Sequence, residues 1–298
     1  MNAVKLVGTM RPNFLLLTPV CVFLGYAAAS VTAPMPIGAM DAGLILAGAL
    51  LAHISVNMLN EYHDFQSGLD LNTARTPFSG GSGTLPAHPA IATHTLVAGV
   101  VALALTGVIG LYLLARAGIG LLPVGLLGLV VVAGYSPWIT RRPLACLFAP
   151  GLGFGPLMVM GAAYVLAGHY SATAALASLT PLFLVSGLLL INQFPDTEPD
   201  REAGRRHLPI MVGRRGASRV FAAMVFAAFL PIIAGIPAGL LPLHAALGLL
   251  TLPLAAYVAY GAMRFAKDIP RLTPFLGFNV ALVLGTNLLL AIGLLLGT

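Results

Sequence analysis

The chain has 298 residues, of which 58% are hydrophobic and only 8% charged. A water-soluble domain carries about 25% charged residues, and a disordered chain is polar and charged, so both classes are excluded. The net charge of +6 comes without any basic run interleaved with aromatics, so nucleic acid is not an expected partner.

The apolar runs are built from Leu, Ala, Gly and Pro and lack the period-two alternation of a membrane barrel. They predict an all-α polytopic membrane protein, a single domain over 1–298 embedded in a lipid bilayer. Nine transmembrane helices are expected, at about 14–32, 39–60, 93–115, 118–136, 144–167, 172–194, 218–239, 243–262 and 275–296. The first run follows Lys5 and Arg11, and Ala27-Ala28-Ala29 imitates a signal-peptidase site. The run is long for a signal core, so it reads as a retained first helix. The fourth run is Gly-rich and follows the third closely, which calls for a tight hairpin. Cys21 and Cys146 lie singly in apolar stretches and read as small buried residues, neither a disulfide framework nor a metal pair. Trp138, at a helix end, reads as an interface anchor.

With the N-terminus inside and alternating spans, fourteen of the 15 Lys and Arg residues fall on the inner side; only Arg116 falls outside. This bias assigns the inner side to the cytoplasm, and the chain to the cell inner (cytoplasmic) membrane. Among the acids, Asp41 alone is outside. Asp268 reads as a solvated loop charge, and the remaining acids fall in two segments, after the second and the sixth helices.

The first segment contains Asn60-Glu61-Tyr62-His63-Asp64 and continues to Asp70; the second contains Asn192-Gln193-Phe194-Pro195-Asp196 and continues to Asp200. Both carry Asn-x3-Asp, and the two motifs read as a weak internal repeat. Residues at i and i+4 share a helix face. Asn60 and Asp64 therefore point one way if the second helix continues past Asn60. Asn192, Asp196 and Asp200 form a similar stripe, which Pro195 and Pro199 put on a bent helix end. Either segment alone reads equally well as solvated charges paired with arginines. Two of them, on one side and with matched spacing, call for a cation. Oxygen-only ligands suit Mg²⁺, which keeps positions for water and phosphate oxygens. Arg75, Arg141, Arg142, Arg201, Arg205 and Arg206 lie on the same side, where they would contact a diphosphate.

At these residues the chain resembles the UbiA superfamily of intramembrane prenyltransferases, whose members share nine helices and two Asp-rich motifs after helices two and six. Asn60-Glu61-x-x-Asp64 and Asp196-x-x-x-Asp200 match those motifs, and Arg201 through Arg206 resembles the family's basic continuation. Within the superfamily the spacing from Asn60 to Asp70 is most similar to the 1,4-dihydroxy-2-naphthoate polyprenyltransferases of menaquinone synthesis. Gly80-Gly81-Ser82-Gly83-x-Leu85 and Phe154-Gly155-Pro156-Leu157 share that likeness. Glu61 departs from the usual Asp by a longer arm. Leu144-Ala145-Cys146-Leu147 lacks the acid that the naphthoate enzymes carry there.

The resemblance implies transfer of a polyprenyl group from polyprenyl diphosphate to an aromatic acceptor, at a mouth on the cytoplasmic side. It implies Asp64, Asp70, Asp196 and Asp200 as Mg²⁺ ligands, with Asn60 and Asn192 orienting them and Glu61 in support. Tyr62 and Tyr135 would stabilise an allylic cation, and Arg75, Arg141, Arg142, Arg201 and Arg205 would hold substrate. 4-Hydroxybenzoate, homogentisate, a porphyrin-type alcohol and a glycerol phosphate stay open as other acceptors. The rival class, a cation-coupled transporter, would place acids near the midplane; here they gather at one face. His63, inside the first motif, is placed to touch a ligand but is not expected to have a specific catalytic role. His207 reads as a loop residue and His53 as a satisfied helix residue, while His88, His94, His169 and His244 lack metal spacing. Ser79 through Gly83 reads as a lid, a phosphate-facing loop or a plain flexible loop.

Overall fold

A computed structural model describes residues 3–32, 38–73 and 75–298. All regular structure among these residues is helical. Eight helices are long and apolar enough to cross a membrane: α1 (Pro12–Thr32), α2 (Ala39–Gln66), α3 (Pro89–Ala117), α5 (Pro143–Ala167), α6 (Ala172–Asn192), α7 (Leu208–Gly235), α8 (Leu243–Arg264) and α9 (Ile269–Leu295). The fourth expected span is present as a shorter apolar helix, α4 (Ile119–Gly134). At 1.5 Å per residue it reaches about 24 Å, less than the ~30 Å of a bilayer core. The tight hairpin before it turns on Gly118, whose φ of 100° is open to glycine.

Several helices outrun their apolar runs. α2 continues through Asn60 and Asp64 to Gln66, and α7 begins at Leu208 and carries Arg214, Arg215 and Arg219 within it. A helix leaving the bilayer keeps its backbone hydrogen bonds in water, so a charge ends the apolar pattern without ending the helix. Gly213, at φ 72°, kinks α7 near its start.

α6 is the central pillar, with 67% of its most apolar window buried, against 17% for α3. α3 instead turns Val97, Val101, Leu105 and Val108 outward, the expected lipid face of a peripheral span. α6 packs Leu184, Val185, Leu188 and Ile191 into the main core with Phe221 and Val225 of α7 and Val283 and Leu290 of α9. On its other side α5 approaches backbone to backbone. A Cβ on Gly151 would lie 1.9 Å from the Leu182 carbonyl oxygen, and one on Gly155 2.4 Å from that of Ser178. α5 also widens into a π-helical stretch, Gly153–Met160, that contains Pro156 and follows Pro150. Proline removes a ladder donor, and the widened turns accommodate its ring. The widened stretch presents Phe154, Leu157 and Met158 to an internal cavity.

At the end of the bundle where α2 begins and α3 finishes, Arg116 pairs with Asp41 at 3.1 Å. Cys21 and Cys146 are free and buried, as expected. Trp138 is 65% exposed just beyond α4, which suits an interface anchor.

Candidate active site

A cavity of about 1040 Å³ runs among α1–α6 and α9. Its deep walls are apolar, with Ile45, Val132, Leu157, Leu188 and Val283 among them. Its polar lining includes both acidic segments: Asn60, Asp64 and Asp70 from the first, Asn192, Asp196 and Asp200 from the second. Arg75, Tyr135 and Arg205 join them.

The two segments reach the cavity by different routes. Asn60 and Asp64 sit one turn apart on the continuous helix α2. Gly68, at φ 77°, then redirects the chain into a short helix, Leu69–Asn72, which carries Asp70. α6, by contrast, ends at Asn192. Asp196 begins a second short helix, Thr197–Glu202, in which Pro199 falls in the first turn, where no N–H is needed. The bent helix end expected from the prolines is therefore present. The Asp200 N–H donates to the Asp196 carbonyl oxygen at 2.9 Å, keeping the two acids one turn apart.

Arginines hold this charge together. Arg205 follows Gly204, at φ 77°, and turns back onto its own segment. It donates through Nη1 to Asp200 Oδ1 at 3.0 Å and through Nη2 to Asp64 Oδ1, so one guanidinium ties the two segments together. His207 Nε2 lies 2.7 Å from the second oxygen of Asp200, and both side chains are buried. Arg11 donates to Glu61 Oε1 at 2.7 Å and to Asn60 Oδ1 at 3.2 Å. The Asn60 amide in turn donates to Ser136 Oγ at 3.2 Å. Burial works against the charges of Arg205 and Arg11. The neighbouring acids outweigh it, and both guanidiniums are held above their ordinary pKa.

The glycine-rich segment lies across the same mouth. The Gly80 N–H donates to Asp196 Oδ2 at 3.0 Å. The Ser82 N–H and hydroxyl donate to the two oxygens of Glu61, each at 2.7 Å. Gly80, Gly81 and Gly83 have φ of 80°, 70° and 69°, a backbone that other residues rarely adopt.

Burial, then repulsion from Asp64 and Glu61, pushes the Asp70 carboxyl up to about 7. Burial, then Asp200, pushes Asp196 up to about 7 as well, against the opposing Gly80 N–H. Asp70 Oδ2, Asp196 Oδ1 and Asn192 Oδ1 are buried without a hydrogen-bond partner among the described residues. Orphaned oxygens under mutual repulsion fit a hard divalent cation. Among the described residues no three His, Cys, Asp or Glu side chains form a ready-made metal cage.

Some of the expected site residues lie elsewhere. Tyr62, Arg141, Arg142 and Arg201 are absent from the cavity lining. Arg141 and Arg142 are exposed, and Arg201 pairs with Glu198 on the surface. Glu61 is wholly buried behind the lining, both its oxygens taken by Arg11 and Ser82. His207 proves to be a buried partner of Asp200, not a plain loop residue. Arg11 had no signal beyond type and position, and Ser82 was marked only by its Gly-rich motif, because their partner Glu61 is distant in sequence from both. His53 fits its expected reading: its ring nitrogen lies 2.8 Å from Thr18 Oγ1 and its ring packs edge-on to Phe154.

Residues 16–283 match the UbiA prenyltransferase family. The chain belongs to that family. Two 1,4-dihydroxy-2-naphthoate octaprenyltransferases are relatives at 29% identity. The match to the Bacillus subtilis enzyme covers 63% of this chain and 60% of that protein. The match to the Escherichia coli enzyme covers 97% and 94%. A UbiA homolog from Aeropyrum pernix shares the fold with a TM-score of 0.69 at 22% identity, over 94% of this chain and 97% of that one. A UbiA homolog from Archaeoglobus fulgidus, bound to DMAPP and Mg²⁺, shares it with a TM-score of 0.60 at 15% identity, over 97% and 99%. The expected intramembrane prenyltransferase is thus met at the level of family, multi-pass helical fold and enzyme class.

Proposed function

We propose that this UbiA-family chain transfers a polyprenyl group from polyprenyl diphosphate to 1,4-dihydroxy-2-naphthoate, in menaquinone biosynthesis. The carrying observation is the junction of two acidic segments at the mouth of a long apolar cavity. The naphthoate relatives support the choice of acceptor, and a diphosphate substrate with Mg²⁺ is supported by the A. fulgidus homolog that binds DMAPP and Mg²⁺.

In this reading the prenyl tail lies along Ile45, Leu157, Leu188 and Val283, and the diphosphate sits among the acids and arginines. Mg²⁺ held by Asp64, Asp70, Asp196 and Asp200 would supply Lewis-acid neutralisation of the leaving diphosphate. Asn60 and Asn192 orient those carboxylates or a phosphate oxygen. Arg75 and Arg205 line the mouth and offer N–H donors to the departing oxygens. Tyr135, also in the lining, would stabilise the allylic cation through its ring. Apolar walls keep water from that cation. The acceptor ring attacks it and re-aromatises by releasing a proton from the attacked carbon or, where that carbon bears the naphthoate carboxylate, CO₂ in its place.

The whole chain works as one membrane domain in the cell inner membrane, with the mouth on the cytoplasmic side; the one-sided Lys and Arg distribution supports this. The test is a panel of acceptors with labelled polyprenyl diphosphate, with and without EDTA. It comprises dihydroxynaphthoate, 4-hydroxybenzoate, homogentisate, a porphyrin-type alcohol and a glycerol phosphate. Product from dihydroxynaphthoate alone, lost with EDTA, is expected. Product from another member reassigns the acceptor, and full activity in EDTA defeats the metal assignment.

A further inference from the structure

Glu61 is adjacent in sequence to Asn60 yet is absent from the cavity lining. One residue along a helix turns the side chain by about 100°, so Glu61 leaves the face that Asn60 and Asp64 share. It is nevertheless 0% exposed, in a membrane protein with few charges to spare. Its carboxylate is fully committed. Oε1 accepts from Arg11 and from the Ser82 N–H, and Oε2 accepts from the Ser82 hydroxyl.

Ser82 belongs to the segment that crosses the mouth. Ser79, Gly80, Gly81 and Ser82 all line the cavity. Two residues before Ser82, the Gly80 N–H holds Asp196. Between them, Gly81 passes so close to Asp70 that an added Cβ would lie 2.8 Å from its Oδ1. Arg75 Nη1 donates to the Ser82 carbonyl oxygen at 2.9 Å, bracing the segment from its own start. Three of its glycines have positive φ, so its backbone has little intrinsic preference for the observed path. External bonds fix that path, and those from Glu61 are charge-assisted.

We propose that Glu61 is a positioning residue of prenyl transfer: through Ser82 it pins residues 79–83 across the mouth, which keeps the Gly80 N–H on Asp196 and shuts water out. The proposal rests on the prenyl-transfer reading above. In that reaction the prenyl C–O bond breaks and its electron pair leaves with the diphosphate. The cation then forms a bond either to the acceptor carbon or to a water oxygen. Water gives a prenyl alcohol and releases a proton. A loosened segment 79–83 therefore changes the partition between the two products, not only the rate.

The test compares the full-length wild type with Glu61→Asp and Ser82→Ala in lipid nanodiscs. Glu61→Asp keeps a carboxylate for Arg11, but its shorter arm withdraws from Ser82. Ser82→Ala keeps the backbone N–H bond to Glu61 and removes the hydroxyl bonds to Glu61 and Thr84, so it remains informative if Glu61→Asp folds poorly. The first readout is amide hydrogen exchange without substrate or metal. Exchange across residues 79–83 is expected to quicken by about tenfold in Glu61→Asp, the scale of one charge-assisted hydrogen bond. A smaller change is expected in Ser82→Ala, with α2 and α6 unchanged in both. The second readout is the ratio of prenyl alcohol to transferred product, expected to rise in the same order. Unchanged exchange overturns the proposal. So does faster exchange with an unchanged product ratio, which marks a purely structural role. A wild type that prenylates no acceptor fails the functional reading instead, and the exchange comparison alone then decides whether Glu61 holds the segment.

Discussion

The two acidic segments share a spacing but not a construction. Asn60 and Asp64 ride on an unbroken helix, so the phase of α2 aims them, and their partners Arg11, Ser136 and Arg205 come from distant parts of the chain. Asp196 and Asp200 follow the end of α6, and Arg205 and His207, a few residues on, turn back to clamp Asp200. A rigid helix needs no local clamp, whereas a proline-broken end needs several. Arg205 joins the two constructions, because its one guanidinium bonds an aspartate of each.

The largest expected effect comes from removing one carboxylate on either side. Asp64→Asn and Asp196→Asn should each lower kcat by about 100-fold or more, the scale of losing charge stabilisation on a leaving group. Equal losses on the two sides would place the constructions on the same footing; a loss confined to one would break the comparison.

Arg205→Gln separates the segments rather than emptying one. It leaves Asp64 and Asp200 buried without their cation, and a broken buried pair costs about 3–5 kcal/mol; partial exposure of Arg205 lowers this toward ~2 kcal/mol. Thermal melts in EDTA should show the drop, and Mg²⁺ should restore part of it. A variant as stable as the wild type in EDTA would remove Arg205 as the link.

pH gives the smallest and most graded effect. Asp70 and Asp196 both sit near 7, well above the ordinary carboxylate range. The metal-free fold therefore binds protons more tightly than the unfolded chain. Its stability from these groups is fully present below about pH 4 and is lost as pH rises toward 7. Mg²⁺ needs the ionised form, so the Mg²⁺ concentration for half-maximal activity should climb as pH falls from 8 to 6. A flat Mg²⁺ requirement over that range contradicts the raised carboxyls.

Much of this was legible in the sequence where the signal was local. Apolar runs located the membrane segments, and matched Asn-x3-Asp spacing located Asn60, Asp64, Asn192 and Asp196 in one cavity. Where the signal was not local, reading along the chain failed in particular ways. Arg214, Arg215 and Arg219 interrupted the apolar pattern and hid the start of α7. Tyr62, expected with Tyr135 to stabilise a cation through its ring, lies two residues past Asn60, off the face that Asn60 and Asp64 share. Arg141, Arg142 and Arg201 share the charge-rich side with the acidic segments in the sequence pattern, which does not fix their reach. The Gly-rich motif marked Ser82, but its bond to Glu61, like that of Arg11, joins residues far apart along the chain.

The most direct test of a shared site is a double-mutant cycle on Mg²⁺-dependent prenyl transfer, using Asp64→Asn, Asp196→Asn and the pair together. If both carboxylates serve one metal-bound diphosphate, the double variant should be little worse than either single, a strong departure from additivity. Losses that multiply independently would contradict a common site.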